Sequence, residues 1–125
     1  MPSYPQHLAK AQSNLAFVSF LRSSNTSFFD WMILGYFLAA LHHVEAYFDS
    51  CYTRSHGNHL GRRRAMLQDR RLSSFFNTYR SLETYSQTAR YGIKQFDQKY
   101  VDQRVLPHFQ RLQAGIESLD PRLKL

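Results

Sequence analysis

The sequence predicts an all-α fold, an up-and-down bundle of four to five helices, on three observations. Apolar residues recur at three- and four-residue steps along most of the chain, the period of a helix with one buried face. No stretch shows the sustained two-residue alternation of a half-buried strand. The breaks between periodic segments are short, as in a bundle of consecutive helices. We expect the 125 residues to form one domain over positions 1–125.

The first two helices are predicted over positions 5–22 and from about 27 to 51. Pro5 suits a first helical position, where its missing N–H is not needed. Ser27, followed three residues later by Asp30, resembles a capping box that starts the second helix. The apolar run over 28–41 is shorter than the roughly 20 residues that cross a bilayer. We therefore expect a central helix that is buried on nearly all sides.

Three further helices follow in the second half of the chain. A short basic helix is predicted over 58–69, with Asn58 as its N-cap. A fourth is predicted over 73–91, stopped by Gly92. A fifth is predicted over 97–119, and Pro107 should kink it or delay its start because proline removes one backbone hydrogen bond.

The charge is positive and unevenly distributed. The formal net charge is +7, and six arginines lie between positions 53 and 71 with only Asp69 opposing them. Such a cluster suits a polyanion, because each neutralised phosphate releases counterions; it is equally compatible with a solvated face that keeps a protein soluble. The single cysteine, Cys51, and a start without a basic and apolar leader predict a cytoplasmic protein with no membrane contact.

One group of residues in the basic segment carries a coherent chemistry. If Asn58 caps the third helix, His59 shares a face with Arg62 and Arg63. Histidine can accept a proton near neutral pH, and arginine can stabilise charge on a phosphate with paired hydrogen bonds. This grouping predicts phosphate binding, and it also contains the side chains that RNA cleavage needs.

A metal site is a further hypothesis. His42, Glu45 and Asp49 share one face of the second helix, and His56 or His59 would complete a ligand set. Ferritin-like bundles, however, draw Glu-x-x-His motifs from more than one helix, and the sequence has no such motif. We therefore expect no metal and no other cofactor, and a metal-dependent helical-bundle enzyme is the third hypothesis.

A pattern of segments extends from the first helix to Gly92: the second helix over 30–47, the loop and basic turn with His56, His59 and Arg62, and the segment with Tyr79-Arg80-Ser81-Leu82 and Ala89-Arg90-Tyr91-Gly92. This pattern resembles the HEPN family of helical nucleotide- and RNA-interacting proteins, and the second helix and the Ala89-Arg90-Tyr91 segment are its most specific parts. The resemblance implies a bundle of four or five helices, commonly a homodimer, in toxin–antitoxin, CRISPR-linked or antiviral defence systems. It implies that active members are metal-independent endoribonucleases with an arginine four to six residues before a histidine at a dimer cleft. Inactive members bind nucleotides or serve as interaction modules.

The arginine–histidine spacing occurs here as Arg54 and His59, which the resemblance makes the catalytic pair. Ser55 stands where the family favours Asn, Asp or His, and Gly57 interrupts a stretch that active members build into a helix. The expected phosphate or RNA contacts are Arg62, Arg63, His56, Arg64 and Arg90.

Two functional hypotheses follow beside the metal-dependent one. The leading one is a HEPN-like homodimer that binds RNA or nucleotide phosphate and, if active, cleaves RNA without metal. The alternative is a non-catalytic interaction module for an antitoxin or another protein partner.

Overall fold

The computed structural model describes residues 2–125, and over that range the chain is helical with no β-strand. The predicted all-helical class is therefore confirmed. The helices are α1 (Tyr4–Ser23), α2 (Phe29–Tyr52), α3 (His59–Gln68), α4 (Phe76–Tyr91), α5 (Gln98–Tyr100) and α6 (Leu106–Leu119). Short 3-10 turns cover Ser73–Phe75 and Pro121–Leu123, and a π-helical turn covers Val101–Val105.

Helices α1 and α2 form an antiparallel hairpin. The start of α1 meets the end of α2, where the Tyr4 amide donates to Asp49 Oδ2 at 2.6 Å. Near the other end of the hairpin, a Cβ added to Gly35 would lie 2.5 Å from Cγ2 of Val18. The missing side chain of Gly35 thus allows the two helices to approach closely.

Helix α2 is the centre of the bundle. The Phe37 ring packs against Tyr79 of α4 with centroids 5.8 Å apart, and the Tyr36 ring packs against Phe109 of α6 at 5.3 Å. Most residues from Met32 to Phe48 are buried, which confirms the expected central helix. Among residues 2–125, no helix combines the length and the apolar character that a membrane span requires.

The predicted helix starts have mixed outcomes. Asn58 is the N-cap of α3 as expected, and its side chain accepts a hydrogen bond from the Gly61 amide at 2.7 Å. The capping box at Ser27 is wrong. The N-cap of α2 is Phe28, without a side-chain hydrogen bond, because Ser27 lies one residue too early and its carbonyl accepts from the Phe29 amide in a tight turn.

The last helical segment shows the disturbance expected from Pro107. Asp97 caps α5 by accepting from the Tyr100 amide at 2.8 Å. The π-helical turn over 101–105 then comes immediately before α6, with Pro107 in the first turn of that helix. A wider turn is one way for a continuous helix to accommodate the missing proline N–H.

Candidate functional site

Two carboxylates are buried at the junction of α2, α3 and α4. Glu45 lies on α2 and Glu83 on α4, and their residues are 1% and 0% exposed. An ionised carboxylate without water requires cationic and hydrogen-bonding partners, because its burial is otherwise strongly unfavourable. The basic segment supplies most of those partners.

Glu45 joins α3 and the preceding loop to α2. Its Oε1 accepts from Nε of Arg62 at 2.7 Å, and its Oε2 accepts from the His56 amide at 3.0 Å. Arg62 also donates to the His56 carbonyl oxygen at 2.9 Å and is only 5% exposed. The guanidinium of Arg62 is therefore occupied by contacts inside the protein.

Glu83 joins α3 to α4. Its Oε1 accepts from Nη1 of Arg80, and Nε of Arg63 lies 3.0 Å from the same oxygen. Its Oε2 lies 3.1 Å from Nδ1 of His59, an ion-pair distance without the angle of a hydrogen bond. One buried carboxylate thus gathers three basic side chains from two helices.

His59 is held in position by Glu83 and is also exposed to solvent. Its side chain is 42% exposed, and its ring lies 6.1 Å from that of Phe37 in the core. Nδ1 faces Glu83 and also lies 3.3 Å from Nη1 of Arg62. Because Nδ1 has both neighbours, Nε2 is the nitrogen left for a ligand.

Partial burial is the main cause of a lowered pKa at His59. The carboxylate of Glu83 opposes the shift, and three nearby arginines, Arg90 among them, add to it. The imidazole is therefore neutral at neutral pH, and because Nη1 of Arg62 can only donate to Nδ1, Nε2 carries the proton and is a hydrogen-bond donor.

An open pocket lies beside His59. Its other lining residues come from the end of α4 and the residue after it: Gln87, Thr88, Arg90, Tyr91 and Gly92. Arg90 is exposed, and its guanidinium lies over the Tyr91 ring, 5.2 Å from the centroid. The pocket thus presents an imidazole, a guanidinium and an aromatic ring together.

The remaining predicted site residues lie elsewhere. Arg54 is exposed and lines a different pocket, next to His56, Phe48 and Tyr52. His56 is half-buried, with Nδ1 3.3 Å from Glu45. Arg64 is exposed on α3, and none of the ion pairs found in residues 2–125 includes it. Within one chain, the structure brings His59, Arg63 and Arg90 together and leaves Arg54 and Arg64 apart from them.

The residues of the metal hypothesis have other partners. Nδ1 of His42 lies 3.1 Å from Nδ1 of His7, Asp49 accepts from the Tyr4 amide, and Glu45 pairs with Arg62. In the described range, 2–125, no three His, Cys, Asp or Glu side chains converge as a metal site would require. His42, Glu45 and Asp49 therefore share a helical face without converging on one metal site.

Sequence reasoning missed Glu83. A signal for it exists, because Glu83 follows Tyr79 by four residues and precedes Ser86 by three, which places it on the buried stripe of its helix. A carboxylate on such a stripe indicates a buried ion pair. Its three basic partners are not evident from the spacing.

Comparison with known proteins gives no relative: no protein-family model, curated protein or solved structure shows significant similarity to the chain.

Replacing each of the two buried carboxylates should destabilise the fold to a different extent. Glu45→Gln would leave Arg62 buried and unpaired, so we expect a fall of about 3–5 kcal/mol in the free energy of unfolding. Glu83→Gln should lower it less, because the side chains of Arg63 and Arg80 are 28% and 38% exposed and can be hydrated. Urea unfolding of both variants measures the difference.

Asp102→Asn is the matched control, because Asp102 pairs with Arg22 at the surface. Its effect should be below about 1 kcal/mol. Equal losses for Glu45→Gln and Asp102→Asn would contradict the structural role given to the buried pair.

Proposed function

We propose that the protein binds RNA or another phosphate-bearing nucleotide at the pocket formed by His59, Arg90 and Tyr91. The observation that carries the proposal is the position of His59, whose Nδ1 lies between Glu83 and Arg62 and whose side chain lines a pocket that Arg90 also lines. Arginine donates paired hydrogen bonds to phosphate oxygens, and imidazole can add another.

The distribution of charge supports this proposal. The net charge of +7 favours the binding of a polyanion to the protein as a whole. Near the pocket, the two carboxylates are already bound to internal partners, whereas Arg90 has no ion pair among the described residues. The local field at the pocket therefore attracts anions.

The resemblance to HEPN proteins points to the same class of ligand. Arg90 and Tyr91 belong to one of the resembling segments, and His59 is the histidine of the arginine–histidine spacing. A homodimer, and an antitoxin or other protein partner, stay predictions of that resemblance. Arg62 is left out of the proposed surface because a phosphate contact would require breaking its ion pair with Glu45.

Metal-independent RNA cleavage is the second candidate function, and the contact between His59 Nδ1 and Glu83 favours it. In the tautomer with the proton on Nδ1, which faces Glu83, Nε2 becomes the acceptor, and the carboxylate stabilises the imidazolium that forms when Nε2 removes a proton. In that tautomer Nε2 would take the proton of a 2′-hydroxyl, the 2′-oxygen would form a bond to the adjacent phosphorus, and the bond to the 5′-oxygen would break as that oxygen takes up a proton from water. Arg90 would stabilise the charge on the phosphorane.

The binding proposal predicts a specific loss in Arg90→Ala. We expect its affinity for a labelled single-stranded oligoribonucleotide to fall roughly tenfold at low salt, because one charge-assisted phosphate contact is lost. The slope of log affinity against log salt should fall by about 1. Fluorescence anisotropy across a salt series measures both quantities.

Lys10→Ala is the control, since it removes the same charge at a separate pocket formed by α1 and α2. It should weaken binding less than Arg90→Ala. RNA binding that is insensitive to salt, or equally affected by both variants, would disprove the proposed site.

The cleavage candidate predicts that RNA is cut in the presence of EDTA. His59→Gln should reduce the rate by about 100-fold or more, because it removes the general base. His108→Gln, at a histidine on α6 outside both the His59 pocket and the Arg54 pocket, should leave it unchanged. Analysis of the products by denaturing gel measures the rate.

Cleavage that EDTA abolishes, or that His59→Gln retains, would rule out this mechanism. A variant Arg54→Ala tests the arginine of the predicted catalytic pair separately, because Arg54 lies at another pocket of the same chain.

A further inference from the structure

A second pocket continues from the first at Gly92. Gly92 lines both, and beyond it the second pocket runs between the start of α2 and the 92–96 segment. A Cβ at Gly92 would lie 2.7 Å from the Thr88 carbonyl oxygen, so glycine is required at this junction. Each pocket has a volume of about 600 Å³, within the range of small-ligand sites. Together they provide room for more than one nucleotide.

The second pocket is lined by exposed aromatic residues. Trp31 is 54% exposed, Phe28 is similarly exposed, and Tyr91 at the adjoining edge is 78% exposed. The tyrosines of the core, Tyr47 and Tyr79, are by contrast fully buried. Burial of such side chains stabilises a fold, so a group of them left together in solvent indicates a binding surface.

The charges around these aromatic residues favour an anionic ligand. Arg90 lies at one side of the combined surface and Lys94 lines the other, whereas Asp30 is the one carboxylate among the lining residues of the two pockets. The ammonium of Lys94 lies 4.4 Å from the centroid of the Tyr100 ring, which keeps it beside the pocket.

We infer that the ligand of this combined surface is single-stranded RNA, with its phosphates at His59 and Arg90 and its bases stacked on Tyr91, Trp31 and Phe28. The inference rests on the proposed phosphate-binding function and specifies its substrate. Stacking on aromatic rings requires bases that are not already stacked in a duplex, and each stacked base contributes substantially to affinity. A single nucleotide would occupy one pocket and leave the other empty.

A second copy of this chain fits the surface less well. If two copies made a two-fold contact through this patch, Arg90 and Lys94 of one copy would lie near Arg90 and Lys94 of the other, and these like charges would repel. Two molecules of charge +7 also repel each other, whereas RNA supplies the opposite charge.

Trp31 is the only tryptophan in the sequence, so its emission reports on this surface alone. We expect single-stranded RNA to quench it, with the same midpoint as the anisotropy titration. Inorganic polyphosphate should bind at Arg90 without quenching, and a duplex of the same RNA should quench little.

Phe28→Ala should weaken binding of single-stranded RNA roughly tenfold, as expected for one stacked base. Phe20→Ala, at an exposed aromatic residue that lines neither pocket, is the control and should leave binding unchanged.

The outcomes separate this inference from the proposed function. Binding that depends on Arg90 but leaves Trp31 emission unchanged would overturn the stacking inference and leave phosphate binding intact. Absence of any RNA binding would overturn both. A change in Trp31 emission with protein concentration, in the absence of RNA, would overturn the inference in favour of contact between copies of the chain.

Discussion

Burial of two carboxylates is the constraint on which the arrangement of the basic segment depends. Glu45 and Glu83 have almost no contact with solvent, and neither helix that carries them supplies all the partners that a buried charge needs. Helix α3 supplies them through Arg62, Arg63 and His59. Both electrostatics and apolar packing therefore hold α3 in place, since Arg62 and Met66 are its two buried residues.

The same interactions divide the basic residues into two groups. Arg62 is enclosed and stabilises the fold, whereas Nδ1 of His59 lies at ion-pair distance from Glu83 and the His59 side chain is 42% exposed. Arg90 lies close enough to His59 to lower its pKa. The side chain of His59 is preorganised in this way, because it is already fixed by its contact with a buried group.

The sequence predicted the helices and part of the site. Hydrophobic period and cap residues located all the main helices, and Asn58 and Gly92 mark real helix ends because capping is a local interaction. The capping box at Ser27 failed because spacing alone does not specify which residue begins the helix. The sequence did not predict which side chains pair or share a pocket. Arg62 pairs with Glu45, 17 residues away, whereas Arg54 and His59 are five residues apart and line different pockets. Such pairings depend on how the helices pack.

The most direct test of the central claim is an NMR titration of the histidine rings, alone and with 2′-O-methyl RNA, which cannot be cleaved. In the free protein the pKa of His59 should lie below 6.5, and a bound phosphate should raise it because an anion favours the protonated imidazole. Burial also lowers the pKa of His108, but His108 lines neither pocket, so its pKa should not change on RNA binding. RNA that binds without moving the pKa of His59 would show that phosphate does not reach this histidine and would contradict the account.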